Sequence, residues 1–219
     1  PWDGYLDPDV YEEQDIINSL VRSFRISERL QRHMQCLLTH GGMFTVCNSN
    51  LLFHASLPLN NDGTLREVEV MGMNCKGKEL MLRIEQLVRL AYEEGADEDE
   101  KLYARDYFWY LWCGPNSPLF DKSKMTTFER YFIDDKSTHS EEKGAYYKLR
   151  NEATICDKIL DEFSVVGKHR HIINGHVPVK VGKGENPIKA DGRLMVIDGG
   201  FARAYQTTTG IAGYTLVYH

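Results

Sequence analysis

Residues 171–178 read His171-Ile172-Ile173-Asn174-Gly175-His176-Val177-Pro178. An apolar run of strand length here enters a Gly-His pair and then a proline turn, and glycine lets the backbone pass closely just before an imidazole is presented. The same layout occurs far earlier, in Leu51-Leu52-Phe53-His54-Ala55-Ser56-Leu57-Pro58, where a strand-like run ends in histidine, small residues and proline. Functional side chains gather where strands end and loops begin, so the pair points to convergence of His54 and His176 on one site. Taken singly, each also fits a half-buried histidine with satisfied nitrogens.

Working outward from His54, Met43–Asn48 and Leu51–His54 flank the turn formers Asn48-Ser49-Asn50, which predicts a hairpin. Upstream, Tyr11 to His40 carries apolar residues at helical spacing with a capped break at Ser27, so two helices are expected, the second ended by Gly41-Gly42. The opening to about Asp9 reads as irregular. Downstream, Asn60–Gly63 marks a turn and Lys76–Glu94 a third helix. Glu98–Trp112 is rich in aromatics and reads as a buried helix broken at Gly114–Pro118. A short helix near Thr127–Phe132, a mobile polar loop over Asp134–Lys143 and a long helix over Tyr146–Phe163 follow. From Lys168 the texture changes to short β-runs: Arg170–Asn174, Leu194–Asp198 and Gly213–Tyr218. Helical segments at about 11–40 and 76–163 and a strand-rich end at 168–219 define an α/β (α+β) chain with inserted helices.

The 219 residues are 42 % hydrophobic and 26 % charged, enough for a sizeable core and unlike a disordered tail. No apolar run reaches membrane-spanning length and no signal segment opens the chain, so the expected setting is cytoplasmic, with no membrane partner. The first residue is Pro1 rather than Met, which fits a trimmed, processed or proteolysed chain alike. Five scattered cysteines form no Cys-x-x-Cys pair and read as buried thiols. A net charge of −6 argues against a nucleic-acid-binding face. That average hides an acidic run, Glu93–Glu100, read as a solvated helix end, and a basic stretch, Lys168–Arg193.

Val181–Glu185 lacks the spacing of a phosphate loop. Lys180, Lys183 and Lys189 surround His176 in sequence and suit either an anionic substrate or a solvated basic loop. His169 and His171 share one strand face and read as surface histidines. His33, His40, His139 and His219 read as structural or solvated.

Phe53–Pro58 resembles the fourth motif of the calcineurin-like metallophosphoesterases, and Asn174-Gly175-His176 resembles their fifth. Leu111–Phe120, Thr127–Ile133, His171–Lys180, Val196–Phe201 and Thr209–Leu216 are similar to the bacterial class III fructose-1,6-bisphosphatases. The resemblance implies gluconeogenic hydrolysis of fructose 1,6-bisphosphate to fructose 6-phosphate and phosphate, on a β-sandwich flanked by helices. It also implies a two-metal site, usually manganese, with His54 and His176 as ligands to one ion. Arg130 would then be a phosphate ligand, as would Lys180 and Lys183, although Arg130 equally suits a helix surface beside Glu129 or Asp134.

One departure limits this. The family's Asp-x-His, Gly-Asp-x-x-Asp-Arg-Gly and Gly-Asn-His-Asp motifs occur nowhere in the chain. Residues 1–219 therefore resemble the C-terminal portion of one metallophosphatase domain, inactive alone, which would self-associate or retain the missing N-terminal portion. Competing readings are another metallophosphoesterase, acting on a phosphoprotein or nucleotide, and a non-catalytic assembly module.

Overall fold

The computed structural model describes residues 13–217; the readings made of the opening to about Asp9, of Tyr218 and of His219 lie outside them. The first half of the chain runs α1 (Glu13–Ile26), α2 (Glu28–His40), β1 (Phe44–Cys47), β2 (Asn50–Phe53), β3 (Val68–Val70), β4 (Met73–Cys75), α3 (Gly77–Leu90) and α4 (Glu98–Cys113). It continues through α5 (Thr127–Phe132), α6 (Tyr146–Leu149), α7 (Ala153–Glu162), β5 (His171–Asn174), β6 (Ile188–Lys189), β7 (Leu194–Val196) and α8 (Arg203–Thr209). This is the expected α+β class. Contacts divide the described residues into two units, 13–42 with 126–140 and 43–125 with 141–217.

In the first unit Ser27 breaks the helical run as expected: its hydroxyl accepts the Leu30 amide and caps α2. Neither α1 nor α2 buries a residue.

The second unit is built on a five-stranded mixed sheet in the order β1-β2-β5-β7-β6. β1 and β2 pair as the anticipated hairpin, Phe44 opposite Phe53. Asn48 (φ 50°) and Ser49 (φ 61°) supply the two left-handed residues that match a two-residue loop to the strand twist. β2–β5 and β5–β7 are parallel, and β6 returns antiparallel on β7. Leu51, Phe53, Ile172, Leu194 and Val196 of these strands pack with Ile155, Cys156, Ile159 and Leu160 of α7 in one core. Each such side chain contributes about 1.5–3 kcal/mol by leaving water. A second cluster joins the β3–β4 hairpin to α3 and α4 through Val70, Cys75, Leu80, Ile84, Leu87, Ala104 and Leu111.

Five expectations are corrected. α4 is present but not buried: it presents only Ala104 and Leu111 fully, while Trp109 and Trp112 are 58 % and 63 % exposed, because residues 104 and 111 lie on one helical stripe and 109 and 112 away from it. The Tyr146–Phe163 helix is two helices, interrupted where Glu152 turns extended. The Gly213–Tyr218 run forms no strand over its described residues and meets the sheet region through the Asp198–Gly213 bridge. The polar stretch 134–143 holds a 3-10 turn at Lys136–His139 and a Lys122–Lys143 bridge. Cys75 and Cys156 are buried thiols, but Cys36 and Cys47 are exposed and Cys113 lies between. No described helix is long and apolar enough to cross a membrane.

Candidate functional site

The sheet register brings the two histidines together. Asn50 lies opposite His171, Leu51 opposite Ile172 and Leu52 opposite Ile173, so parallel β2 and β5 end at the same level. The Gly175 amide donates to the His54 carbonyl at 2.9 Å and carries the register one step past both strands. His54 Nε2 then lies 3.2 Å from His176 Nδ1, with ring centroids 5.1 Å apart. The third parallel strand ends at the same edge: β7 pairs Val196 with Asn174, and two residues later Asp198 packs against Gly175, where a Cβ would sit 3.3 Å from the Asp198 Cβ.

Beneath the imidazoles the loops are tied by buried polar groups. Asn174, 2 % exposed, donates from Nδ2 to the Ala55 carbonyl at 3.1 Å and to the Tyr146 hydroxyl at 2.6 Å. Ser56 donates its hydroxyl to Asp121 Oδ2 at 2.5 Å, and its amide donates to the Pro118 carbonyl at 3.0 Å. Burial raises the Asp121 pKa against that hydrogen bond. His176 takes a left-handed conformation, φ 64°, and the Val177 amide donates back to the Gly175 carbonyl at 2.8 Å, a three-residue turn that lifts the ring out of the strand.

Both rings are held neutral. Burial lowers the His54 pKa, with Asp198 opposing. Burial, then His54 and Lys122, lowers that of His176 to about 4, with Glu141 opposing and Lys143 adding to the fall. Neutral imidazoles keep the lone pairs a metal needs. Two nitrogens bound at roughly 2.1 Å on adjacent positions of one ion stand about 3 Å apart, close to the spacing seen here. His176 Nε2 is buried without a partner, which leaves Nδ1 as the nitrogen that meets His54. The pair fits two positions of a divalent ion's coordination shell. Among the described residues no group of three or more His, Cys, Asp or Glu could hold a metal.

The remaining candidates are placed elsewhere or differently. Arg130 lies in the other unit, on α5, where its guanidinium donates to Thr126 Oγ1 at 2.9 Å and to the His139 carbonyl at 3.0 Å. Lys183 is exposed on the 3-10 turn Val181–Lys183. The Lys180 amide donates to Glu185 Oε2 at 3.0 Å, and Lys189 pairs with Glu185 at 2.8 Å. His171 Nδ1 contacts the Gly192 carbonyl at 2.8 Å, a structural role. The lysines whose charge reaches His176 are Lys122 and Lys143, neither of which the sequence reading singled out. Asp198 and Asn174 were also missed as site residues, though both sit within one or two positions of strand ends that were read correctly.

The fold and the edge geometry define an α+β chain whose parallel strands deliver two neutral imidazoles to one point. The family model for Firmicute fructose-1,6-bisphosphatase matches residues 7–219, and the chain belongs to that family. It is 61 % identical over 208 residues to the class 3 fructose-1,6-bisphosphatase of Parabacteroides distasonis and 62 % identical to that of Bacteroides fragilis, in each case covering 95 % of this chain and 31 % of the relative. The protein of the same name from Clostridium botulinum is 56 % identical over 207 residues. The chain thus spans about a third of the length of the curated relatives it matches, 31 % in each of these three. No solved structure matches it.

Proposed function

We propose that the full-length protein is a cytoplasmic, metal-dependent phosphatase that hydrolyses fructose 1,6-bisphosphate to fructose 6-phosphate and phosphate in gluconeogenesis. Residues 1–219 would form the C-terminal portion of its metallophosphoesterase domain. The observation that carries the reading is the 3.2 Å approach of His54 Nε2 and His176 Nδ1 at the ends of adjacent parallel strands. In a chain of this family, two paired imidazole ligands without a third suit half of a site whose other ligands lie in the remaining length.

His54 and His176 would hold one divalent ion, manganese in our reading. A bound pair of such ions supplies a hydroxide nucleophile at neutral pH and neutralises the phosphoryl oxygens. The protein's part is positional. Burial keeps the rings unprotonated, Asn174 and Ser56 fix the loop that carries His54, and Asp198 biases the His54 ring electrostatically. Lys122 and Lys143 add positive potential where an anionic substrate approaches His176.

The test is phosphate release by the full-length protein from fructose 1,6-bisphosphate, fructose 6-phosphate, a phosphopeptide and a nucleoside monophosphate, with manganese and after chelation. Turnover is expected on the bisphosphate above the others, lost on chelation and restored by manganese. Equal rates on all four, or full activity in chelator, would overturn the reading.

A further inference from the structure

Arg150 is an anomaly in the second unit. It ends α6, is 4 % exposed, and its Nε and Nη1 are buried with no hydrogen-bond partner. It forms no ion pair among the described residues. A buried guanidinium left unsatisfied is destabilising and persists where something else completes it.

Its neighbours are cations. The Arg150 Cζ lies 5.3 Å from the Tyr147 ring centroid and Lys143 Nζ lies 5.7 Å from the same centroid, so two positive groups share one aromatic ring. Partial desolvation of its ammonium, then Arg150, Lys180 and Lys122, lowers the Lys143 pKa, with Glu185 alone opposing. The carboxylates nearby are engaged: Glu141 pairs with Lys122 at 2.9 Å and Glu185 with Lys189 at 2.8 Å. Asp121, which faces the Tyr147 hydroxyl end, is occupied by Ser56. Lys122, Lys143, Arg150, Lys180 and Lys189 therefore stand against Glu141 and Glu185, five positive groups to two negative. Lys143 and Lys180 are exposed, whereas Arg150 is buried.

The cluster is continuous with the imidazole pair. Tyr147 donates its hydroxyl to the Phe120 carbonyl at 2.9 Å, and the Phe120 ring lies 5.9 Å from the His176 ring and 5.0 Å from Lys122 Nζ. From this arrangement we infer a second anion site, formed by Arg150 with Lys143 and Lys180, that takes the phosphate of a bisphosphate substrate that is not cleaved. Nε and Nη1 lie on different edges of the guanidinium, so each offers a single donor to an anion, and the flanking ammonium groups supply the remaining charge. The assignment of the ligand rests on the bisphosphatase reading; the existence of an anion site does not.

The experiment separates the two. Inorganic phosphate is titrated calorimetrically into the full-length protein without added metal, as wild type, Arg150→Met, Arg150→Lys and Lys143→Gln. Phosphate is expected to bind at least tenfold more weakly to Arg150→Met, with partial recovery in Arg150→Lys and a three- to fivefold loss in Lys143→Gln, whose exposed position puts folding at no risk. Affinities equal to wild type in both Arg150→Met and Lys143→Gln would overturn the site, whatever the substrate proves to be. In steady-state kinetics, Arg150→Met is expected to lose at least tenfold more kcat/KM on fructose 1,6-bisphosphate than on p-nitrophenyl phosphate, chiefly through KM. Equal losses on the two substrates would overturn the assignment to the uncleaved phosphate.

Discussion

At the residue scale, His176 combines a left-handed backbone with a half-buried, unprotonated ring. A non-glycine residue there costs about 1–3 kcal/mol and is retained where the surroundings impose it. The imposing contacts are the parallel pairing that ends at Asn174 and the turn closed by Val177 on Gly175. In the full-length protein, His54→Ala and His176→Ala are each expected to lower kcat about 100-fold, the upper scale for disturbing a catalytic metal's ligation; near-wild-type turnover would contradict their role. The pH dependence has a definite sign. Because the folded pKa of His176, about 4, lies below the ordinary 6.5, the unfolded chain takes up the proton first as pH falls. The stability this ring contributes is complete above 6.5 and is lost as pH drops toward 4. Urea midpoints measured between pH 7 and 4 should fall more steeply for wild type than for His176→Gln, and parallel curves would be the wrong outcome. Both histidines were legible because a strand end followed by Gly or by small residues has a local signature. Asp198, Lys122 and Lys143 were not, since only the strand order and the loop packing bring them near.

At the element scale, Ser56 and Asp121 join the loop after β2 to the segment after α4. Gly144 leaves the space this needs: a Cβ there would lie 2.1 Å from Asp121 Oδ2. Ser56→Ala removes the donor and leaves a buried carboxyl without that bond, so a loss of about 1–3 kcal/mol is expected in chemical denaturation; no change in midpoint would show that the loop is held some other way. The long elements could be read because periodicity accumulates over their length, as in α1, α2 and α3. β3, β4 and β6 have three, three and two residues, too few for an alternating pattern to stand out. The exposed face of α4 was misread for a different reason: aromatic content reports affinity for a core and not which side of a helix has one available.

At the scale of the whole molecule, apolar surface is left open in quantity. Phe24 and Ile26 of α1 are 64 % and 67 % exposed, and Phe128, Tyr131 and Phe132 of α5 are 64–79 % exposed. β1 ends the sheet with Val46 45 % exposed, an unpaired rim of the kind that recruits further strands. The isolated 219-residue chain is therefore expected to self-associate, with Val46→Lys reducing the associated fraction in light scattering; a monodisperse monomer at high concentration would contradict this. The sequence predicted such exposure from the missing motifs, but not which faces would carry it.

The separation of the two imidazoles along the chain, 122 residues, has a consequence for biosynthesis. A ribosome presents His54 long before β5 has emerged, and until that strand docks beside β2 the first ring has no companion. The pair is thereby assembled only after residue 176 has emerged, and a nascent chain stalled before that point displays His54 without its companion.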